Sequence, residues 1–271
     1  MNKLPYIFFG SPPIGPIALA ALNEAHYPPA LVISDKSLSL EEMTEQIEAV
    51  NPTFYLVVGF GAILKRPILD LVAGQVLNIH PSLLPLYRGP APVVQTILDG
   101  ALETGVTLME IDEKMDHGPI LGQDQMPLRG DETPDDLYRV LTIKGVQLFL
   151  EQIDGYLNET IEGEPQNHFD ATITHFVKKQ DGLLDLDEPV EFSERKVRAY
   201  QGWPGAFIYA NGKRLIIHKA HIQEGELRFG EVQPENGKRM ALAAYLAGQR
   251  LSEEDFYASL SSIAPEKEAE L

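Results

Sequence analysis

Short apolar runs alternate with helix-like patterns through the first 172 residues, and this alternation restricts the chain more than any other feature. "PYIFFG" (residues 5–10) reads as a buried strand, "IGPIALAALNEA" as the helix after it and "PALVIS" as a second strand. "SLEEMTEQIEAV" comes next, with Ser39 placed to cap a helix just ahead of Glu41 and Glu42; the strand "TFYLVVG", the helical pattern "AILKRPILDLV" and the strand "QVLNIH" complete the series. Strands joined through single helices pair in parallel, because a tight turn connects only antiparallel neighbours. The expected fold is therefore α/β, a Rossmann-like, mainly parallel sheet with helices on both faces. Such sheets bind ligands outside the carboxyl ends of their strands.

"LNIHPSLLPLYRGPAP" (residues 77–92) lies at one of those ends. Side chains alternate along a strand, so Asn78 and His80 share one direction while Leu77 and Ile79 turn into packing. Pro81 cannot donate to a ladder and stops the strand. Two readings fit this spacing: polar groups that serve the local backbone, or a reactive pair aimed at a ligand.

Composition narrows the chemistry. The 271 residues contain no cysteine, which excludes disulfides, thiolate metal sites and a cysteine nucleophile. A hydrophobic content of 44% over 271 residues supports a substantial core, and the length allows one large domain or a large one with a small one beside it. No run approaches the roughly 20 apolar residues of a membrane span, and the opening "MNKLPYIFFGSPP" is too short in apolar core for a secretory signal, so a cytoplasmic protein without membrane contact is expected. Length, charge and motifs do not fix the oligomeric state, and a monomer is the expectation. "GSPPIG" lacks the glycine spacing and the lysine of a phosphate loop. His218 and His221 lack acidic or sulfur co-ligands, so no metal site is expected.

The net charge of −18 is uneven. Residues 1–172 carry 9 Lys and Arg against 24 Asp and Glu, whereas residues 173–250 carry 12 against 10. A polyanionic partner would favour the second segment. The polar stretch "GEPQNHFDATITHFVKKQDG" reads as a linker, which gives a catalytic domain over 1–172 and a linker with a small C-terminal domain over 173–271.

Several motifs in order carry a family resemblance. Asn78-x-His80, the loop Ser82-Leu83-Leu84-Pro85 and Asp116 in "EKMDHGPILGQ" together resemble the shared core of the folate-dependent formyltransferases. "FFGSPPIGPIALAAL", "YRGPAPVVQ", "RAYQGWPGAFIYANGKRL" and "GEVQPENGKRM" resemble the tRNA-directed members of that family, so that the likeness runs through most of residues 4–251. This resemblance implies 10-formyltetrahydrofolate as formyl donor, methionyl initiator tRNA as amine substrate, and Asn78, His80 and Asp116 as catalytic residues. It also implies a reduced-folate site at Ile63, Leu64, Ser82, Leu83, Leu84, Pro85, Ile111 and Glu113. By its geometry Arg88 suits a phosphate of the amine substrate, or is an exposed side chain without a role, and Lys238 and Arg239 are among the cations of residues 173–250 expected toward that substrate. Two departures accompany it. Only one helix fits between "ALVIS" and "TFYLVVG", where the tRNA-directed members carry a basic loop that enters the acceptor stem, and the C-terminal module is short enough to imply a small β-rich domain with a reduced, open OB-like barrel.

The chemistry can be stated from the groups alone. An amine that attacks a formyl carbon creates an oxyanion and an ammonium. Asn78 can donate its amide N–H to the oxyanion, protonated His80 can donate a second hydrogen bond, and Asp116 can orient the imidazole and help carry the amine proton away. An amino-sugar nucleotide or glycinamide ribonucleotide would suit the acidic body better than tRNA, and a non-catalytic folate- or RNA-binding module would leave this triad unexplained.

Overall fold

The computed structural model describes residues 4–261; residues 262–271, assigned above to the second domain, lie outside the described residues. The first elements follow the expected alternation: β1 (Tyr6–Gly10), α1 (Gly15–Glu24), β2 (Leu31–Ile33), α2 (Leu40–Val50) and β3 (Phe54–Val58). Ser39 caps α2 in a reciprocal box, its hydroxyl accepting from Glu42 N at 3.2 Å while Glu42 accepts from Ser39 N at 2.8 Å. The next pattern gives less helix than its sequence suggests: α3 spans only Arg66–Leu69, continued by a 3₁₀ turn over Asp70–Val72. Pro67 is tolerated only in a first helical turn, so the helix cannot begin at Ala62.

β4 (Val76–His80), α4 (Pro92–Asp99), β5 (Glu103–Glu110), β6 (Ile120–Pro127) and the long α5 (Pro134–Leu157) follow. Among the described residues the sheet has six strands in the order β2-β1-β3-β4-β5-β6, parallel from β2 to β4 and antiparallel across β4-β5 and β5-β6. β4 is thus an inner strand. Alternation sorts the two faces. Ile7, Phe9, Tyr55, Val57 and Val76 pack with Met43 and Ile47 of α2 and with Ile68 and Val72. On the other face Tyr6 stacks on Phe54 at 5.0 Å between centroids, and both meet Phe149 of α5 at 6.2 and 6.1 Å.

α5 approaches the sheet closely because residue 145 has no side chain. A Cβ built on Gly145 would lie 2.3 Å from Ile79 Cγ2 and 2.9 Å from Val106 Cγ2. Ile79 sits between Asn78 and His80, so this contact seats the strand that carries both.

The structure divides into two compact units. Among the described residues, the first comprises 4–93, 102–128 and 135–175; the second takes 94–101, 129–134 and 176–261. A linear reading of composition cannot reveal the two short segments of the second unit. They belong there through specific bonds: in α6 (Val190–Ala199), Arg195 Nε donates to Leu98 O at 2.8 Å and Arg198 Nη1 donates to Glu132 O at 3.0 Å. The remaining elements are β7 (Ala206–Ala210), β8 (Lys213–Gln223), β9 (Glu226–Pro234), β10 (Met240–Ala241), α7 (Leu242–Gln249), α8 (Glu253–Ala258) and β11 (Leu260–Ser261). The second unit's sheet is antiparallel and ordered β10-β9-β8-β7-β11, with β10 and β11 as its edges. Ile208, Leu215, Ile217 and Val232 of this sheet pack with Val197, Leu242, Tyr245, Leu246 and Phe256 of the helices. No helix among the described residues is long and apolar enough to cross a membrane.

The close approach at Gly145 gives a stability prediction. Gly145→Ala should gain about 1 kcal/mol of helix propensity yet lose more to overpacking against Ile79, for a net destabilisation on the order of 1 kcal/mol. The urea midpoint should fall at unchanged slope; a midpoint at or above wild type would show that the helix can back away without cost.

Candidate active site

The site is built at the carboxyl end of β4. Asn78 is half-buried, with its Cα opposite Val57 of β3 and Met109 of β5; His80 is opposite Thr107 and only 4% exposed. No side-chain partner for the Asn78 amide is formed among the described residues. An amide so placed keeps both its N–H groups for a ligand.

His80 is held at both ring nitrogens. Nε2 lies 3.0 Å from Tyr87 O; a carbonyl only accepts, so Nε2 carries the proton. Nδ1 lies 3.6 Å from Asp116 Oδ1, which is close enough for ion pairing and too long for a hydrogen bond. The other carboxylate oxygen, Oδ2, accepts from Gly89 N at 2.8 Å. Asp116 itself has φ 50° and opens a turn that closes at Gly118, where an added Cβ would lie 2.1 Å from Glu110 O. That approach explains why the turn reads Asp-x-Gly.

The loop after β4 is organised from inside. Thr107 Oγ1 donates to Ser82 O at 2.6 Å and accepts from Leu84 N at 3.1 Å, while Gln123 Nε2 donates to Thr107 Oγ1 at 2.9 Å and to Leu84 O at 2.8 Å. Ser82 Oγ donates to Leu86 O at 2.7 Å. Ser82 and Leu84, expected at the folate, are buried and turned into this packing, with Leu83 and Pro85 half-buried on the same loop.

The other expected positions separate in the same way. Ile63 is 83% exposed, Leu64 and Ile111 are partly buried against the sheet's core, and exposed Glu113 pairs with Arg66. Arg88, expected either at a phosphate of the amine substrate or as an exposed side chain without a role, is 6% exposed; its Nε and Nη2 donate to Gln166 Oε1 at 3.1 and 2.6 Å, and Nη2 also donates to His168 Nδ1 at 2.9 Å. The reason is that Arg88 leaves a loop already covered by residues 164–174. In the second unit Lys238 and Arg239 are exposed, and Arg239 pairs with Glu231, which also takes Lys219. Those two hydrogen bonds hold the Glu231 carboxyl below its usual value. No cluster of three or more His, Cys, Asp and Glu suited to a metal occurs among the described residues.

Within the stretch read above as a linker, residues 164–174 are bonded to the loop and strand around the site. Glu164 exchanges both backbone hydrogen bonds with Ile120, Arg88 N donates to Thr172 O, Thr174 N donates to Arg88 O, and Tyr87 N donates to Thr172 Oγ1 at 2.7 Å. Turn-rich composition marked this stretch as irregular, and irregular it is; its backbone partners lie across the site, where sequence gives no signal. With it come Gln166, His168 and His117. The His117 and His168 rings stack at 3.9 Å, and His117 Nδ1 donates to Asp112 Oδ2 at 2.6 Å. Loss of solvent, then the neighbouring His117, Arg88 and Lys114, hold the His168 imidazole below its usual value, with Asp112 opposing.

An amide without a partner among the described residues, beside an imidazole hydrogen-bonded through one nitrogen and facing a carboxylate with the other, can polarise a carbonyl and manage a proton. Residues 16–153 match the family model described as formyl transferase, and residues 177–228 match that described as formyl transferase, C-terminal domain. The chain belongs to the formyl transferase family and is an enzyme of that class. A methionyl-tRNA formyltransferase of Chloroflexus aggregans is 38% identical over 262 residues, 86% of this chain and 82% of that protein. Among solved structures, the methionyl-tRNA formyltransferase from Clostridium thermocellum has a TM-score of 0.66 at 20% identity, covering 86% of this chain and 99% of that one. WlaRD, a sugar 3N-formyl transferase solved in the presence of dTDP and 5-N-formyl-THF, has a TM-score of 0.63 at 21% identity over 89% of this chain and 98% of its own. At these identities the two structures speak for the fold.

Two outcomes test the geometry of this formyltransferase site. Thr107→Val removes the acceptor of buried Leu84 N and should cost about 1–3 kcal/mol in chemical denaturation; a loss below about 0.5 kcal/mol would mean that the loop finds another partner. The depressed His168 makes folding less favourable in acid: below its unfolded pKa of about 6.5 the unfolded chain takes up a proton that the folded one resists, and above that value the effect vanishes. His168→Gln should therefore reduce the drop in melting temperature between pH 7.5 and 5.5, and an unaltered drop would remove this assignment.

Proposed function

We propose that this formyltransferase moves the formyl group of 10-formyltetrahydrofolate to the α-amino group of methionyl initiator tRNA. The observation that carries the chemistry is the half-buried Asn78 amide, without a partner among the described residues, beside a His80 ring that lies between Tyr87 O and Asp116. The amine nitrogen attacks the formyl carbon, a C–N bond forms, and the carbonyl electron pair moves onto oxygen. Asn78 donates an N–H to that oxyanion. Nε2 of His80 is committed to Tyr87 O, so Nδ1 is the nitrogen left for chemistry; in the imidazolium its proton is not consumed by Asp116 at 3.6 Å and can be donated to the oxyanion. The ammonium releases a proton toward Asp116, and collapse of the adduct expels N10 of the folate, which gains a proton. Ile63, Leu64, Ile111 and Glu113 are the positions proposed to meet the folate.

Support for the tRNA substrate comes from the Chloroflexus aggregans relative, a methionyl-tRNA formyltransferase. In this reading tRNA contact falls on residues 173–250, with Lys238 and Arg239 among the cations. A sugar nucleotide is the second reading, favoured by the 24 acidic against 9 basic residues over 1–172.

His80→Ala and Asn78→Ala should each lower kcat on the order of 100 to 1,000-fold, with folate affinity nearly unchanged. Wild-type turnover in His80→Ala would sink the mechanism. Offered 10-formyltetrahydrofolate with methionyl initiator tRNA, an amino-sugar nucleotide or glycinamide ribonucleotide, the enzyme should formylate the tRNA, and Lys238→Glu with Arg239→Glu should raise KM for tRNA alone. Efficient formylation of the sugar nucleotide instead would transfer the assignment to the second reading.

A further inference from the structure

Resting on the reading of His80 and Asp116 given above, we infer that Gln166 is a positioning residue that sets the geometry of this pair from outside the reaction. Its side chain is 6% exposed and has both faces of its amide engaged. Oε1 accepts from Arg88 Nε and Nη2 at 3.1 and 2.6 Å; Nε2 donates to Asp116 O at 3.0 Å and to Gly118 O at 2.8 Å. A primary amide offers two donor hydrogens and two acceptor lone pairs, so all four are used. The orientation is thereby fixed, since rotating the amide by half a turn would set NH2 against a guanidinium and an oxygen against two carbonyls.

The two ends of this amide reach the two backbone segments that hold the catalytic pair. On the acceptor side is Arg88, flanked by Tyr87, whose carbonyl takes the His80 Nε2 proton, and by Gly89, whose N–H serves Asp116 Oδ2. On the donor side is the turn Asp116–Gly118, gripped at its first and last carbonyls. Asp116 is at φ 50°, a conformation that a non-glycine residue leaves readily unless its surroundings hold it. The backbone around Gln166 adds its own ties: Glu164 to Ile120, Thr172 to Tyr87 and Arg88, and Thr174, whose hydroxyl accepts from Ala91 N at 3.1 Å and donates to Arg88 O at 3.0 Å. The separation of 3.6 Å between His80 Nδ1 and Asp116 Oδ1 follows from the distance at which Gln166 spaces the two segments. Were the turn to relax inward, the carboxylate would capture the Nδ1 proton; outward, the imidazolium would lose its counter-charge.

Glutamine is required by this role, and glutamate separates its two halves. Gln166→Glu keeps an acceptor for Arg88, as an ion pair, and replaces the two donors with an oxygen that repels Asp116 O and Gly118 O. The protein should remain folded, with kcat for formyl transfer from 10-formyltetrahydrofolate to methionyl initiator tRNA lowered about 10 to 100-fold and both KM values within about twofold, as for a misplacement of a catalytic group by an ångström or less. Acting through Asp116, Gln166→Glu should add almost nothing to the loss already present in Asp116→Asn. Independently of turnover, the ¹⁵N shifts of the His80 ring, which report its hydrogen bonds, should move in Gln166→Glu. If Gln166→Glu does not fold, Gln166→Met, of similar length and without polar atoms, runs the same cycle. Wild-type kcat, a full additional loss in the Asp116→Asn background, or unmoved His80 shifts would each overturn the inference. Full turnover in Asp116→Asn and His80→Ala would instead overturn the reading of the catalytic pair, and the His80 shifts still decide whether Gln166 controls its geometry.

Discussion

The site depends on a single requirement: the chain from Pro81 to Gly89 leaves the sheet with much of its polar backbone shielded from water, and those groups have to find partners within the protein. An unpaired buried amide costs about 1–3 kcal/mol, a sizeable part of a domain's net stability of roughly 5–15 kcal/mol. Thr107 and Gln123 satisfy Ser82 and Leu84, and Thr172 and Thr174 satisfy Tyr87, Arg88 and Ala91. What remains after this pairing is selective. Tyr87 O and Gly89 N are left facing His80 and Asp116, and the Asn78 amide has no partner at all among the described residues. Pairing the loop and leaving the Asn78 amide unpartnered are the same arrangement.

Charge pulls against the proposed substrate. The region that supplies Asn78, His80 and Asp116 is acidic, and the segment between β2 and α2 carries a single lysine, Lys36, where a basic loop would be needed to draw a nucleic acid in. An acidic surface raises the electrostatic cost of bringing phosphates near, so positioning of a tRNA must rely on the balanced second segment and on few contacts. The chemistry is indifferent to this problem, because a neutral amine is the nucleophile whichever molecule carries it.

The buried Arg88 shows how position in a network changes the meaning of a residue. As an isolated motif element, an arginine after a strand-end loop suits a phosphate oxygen. Here its guanidinium is stripped of water, which lowers its proton affinity, while Asp116 and Asp112 favour its charge. Its nitrogens are used to hold Gln166 and His168.

Periodicity alone made β1 through β4 legible, because strand and helix patterns are local consequences of which side chains must face a core. The capping box at Ser39, the strand stop at Pro81 and the shared direction of Asn78 and His80 belong to the same class: each depends on residues within a few positions. The short α3 departs from its pattern because Pro67 limits where a helix can start. Assigning Asp116 to the site rested on resemblance, since nothing local ties it to His80. The strap from Glu164 to Thr174 was illegible for the same reason. Its polar residues look like a linker in sequence, and only the fold brings Gln166 to the Asp116 turn and to Arg88, 50 and 78 positions away. Local sequence determined which groups could react; tertiary structure decided which were kept free to do so, because hydrogen-bond partners are assigned by distance in space and not along the chain.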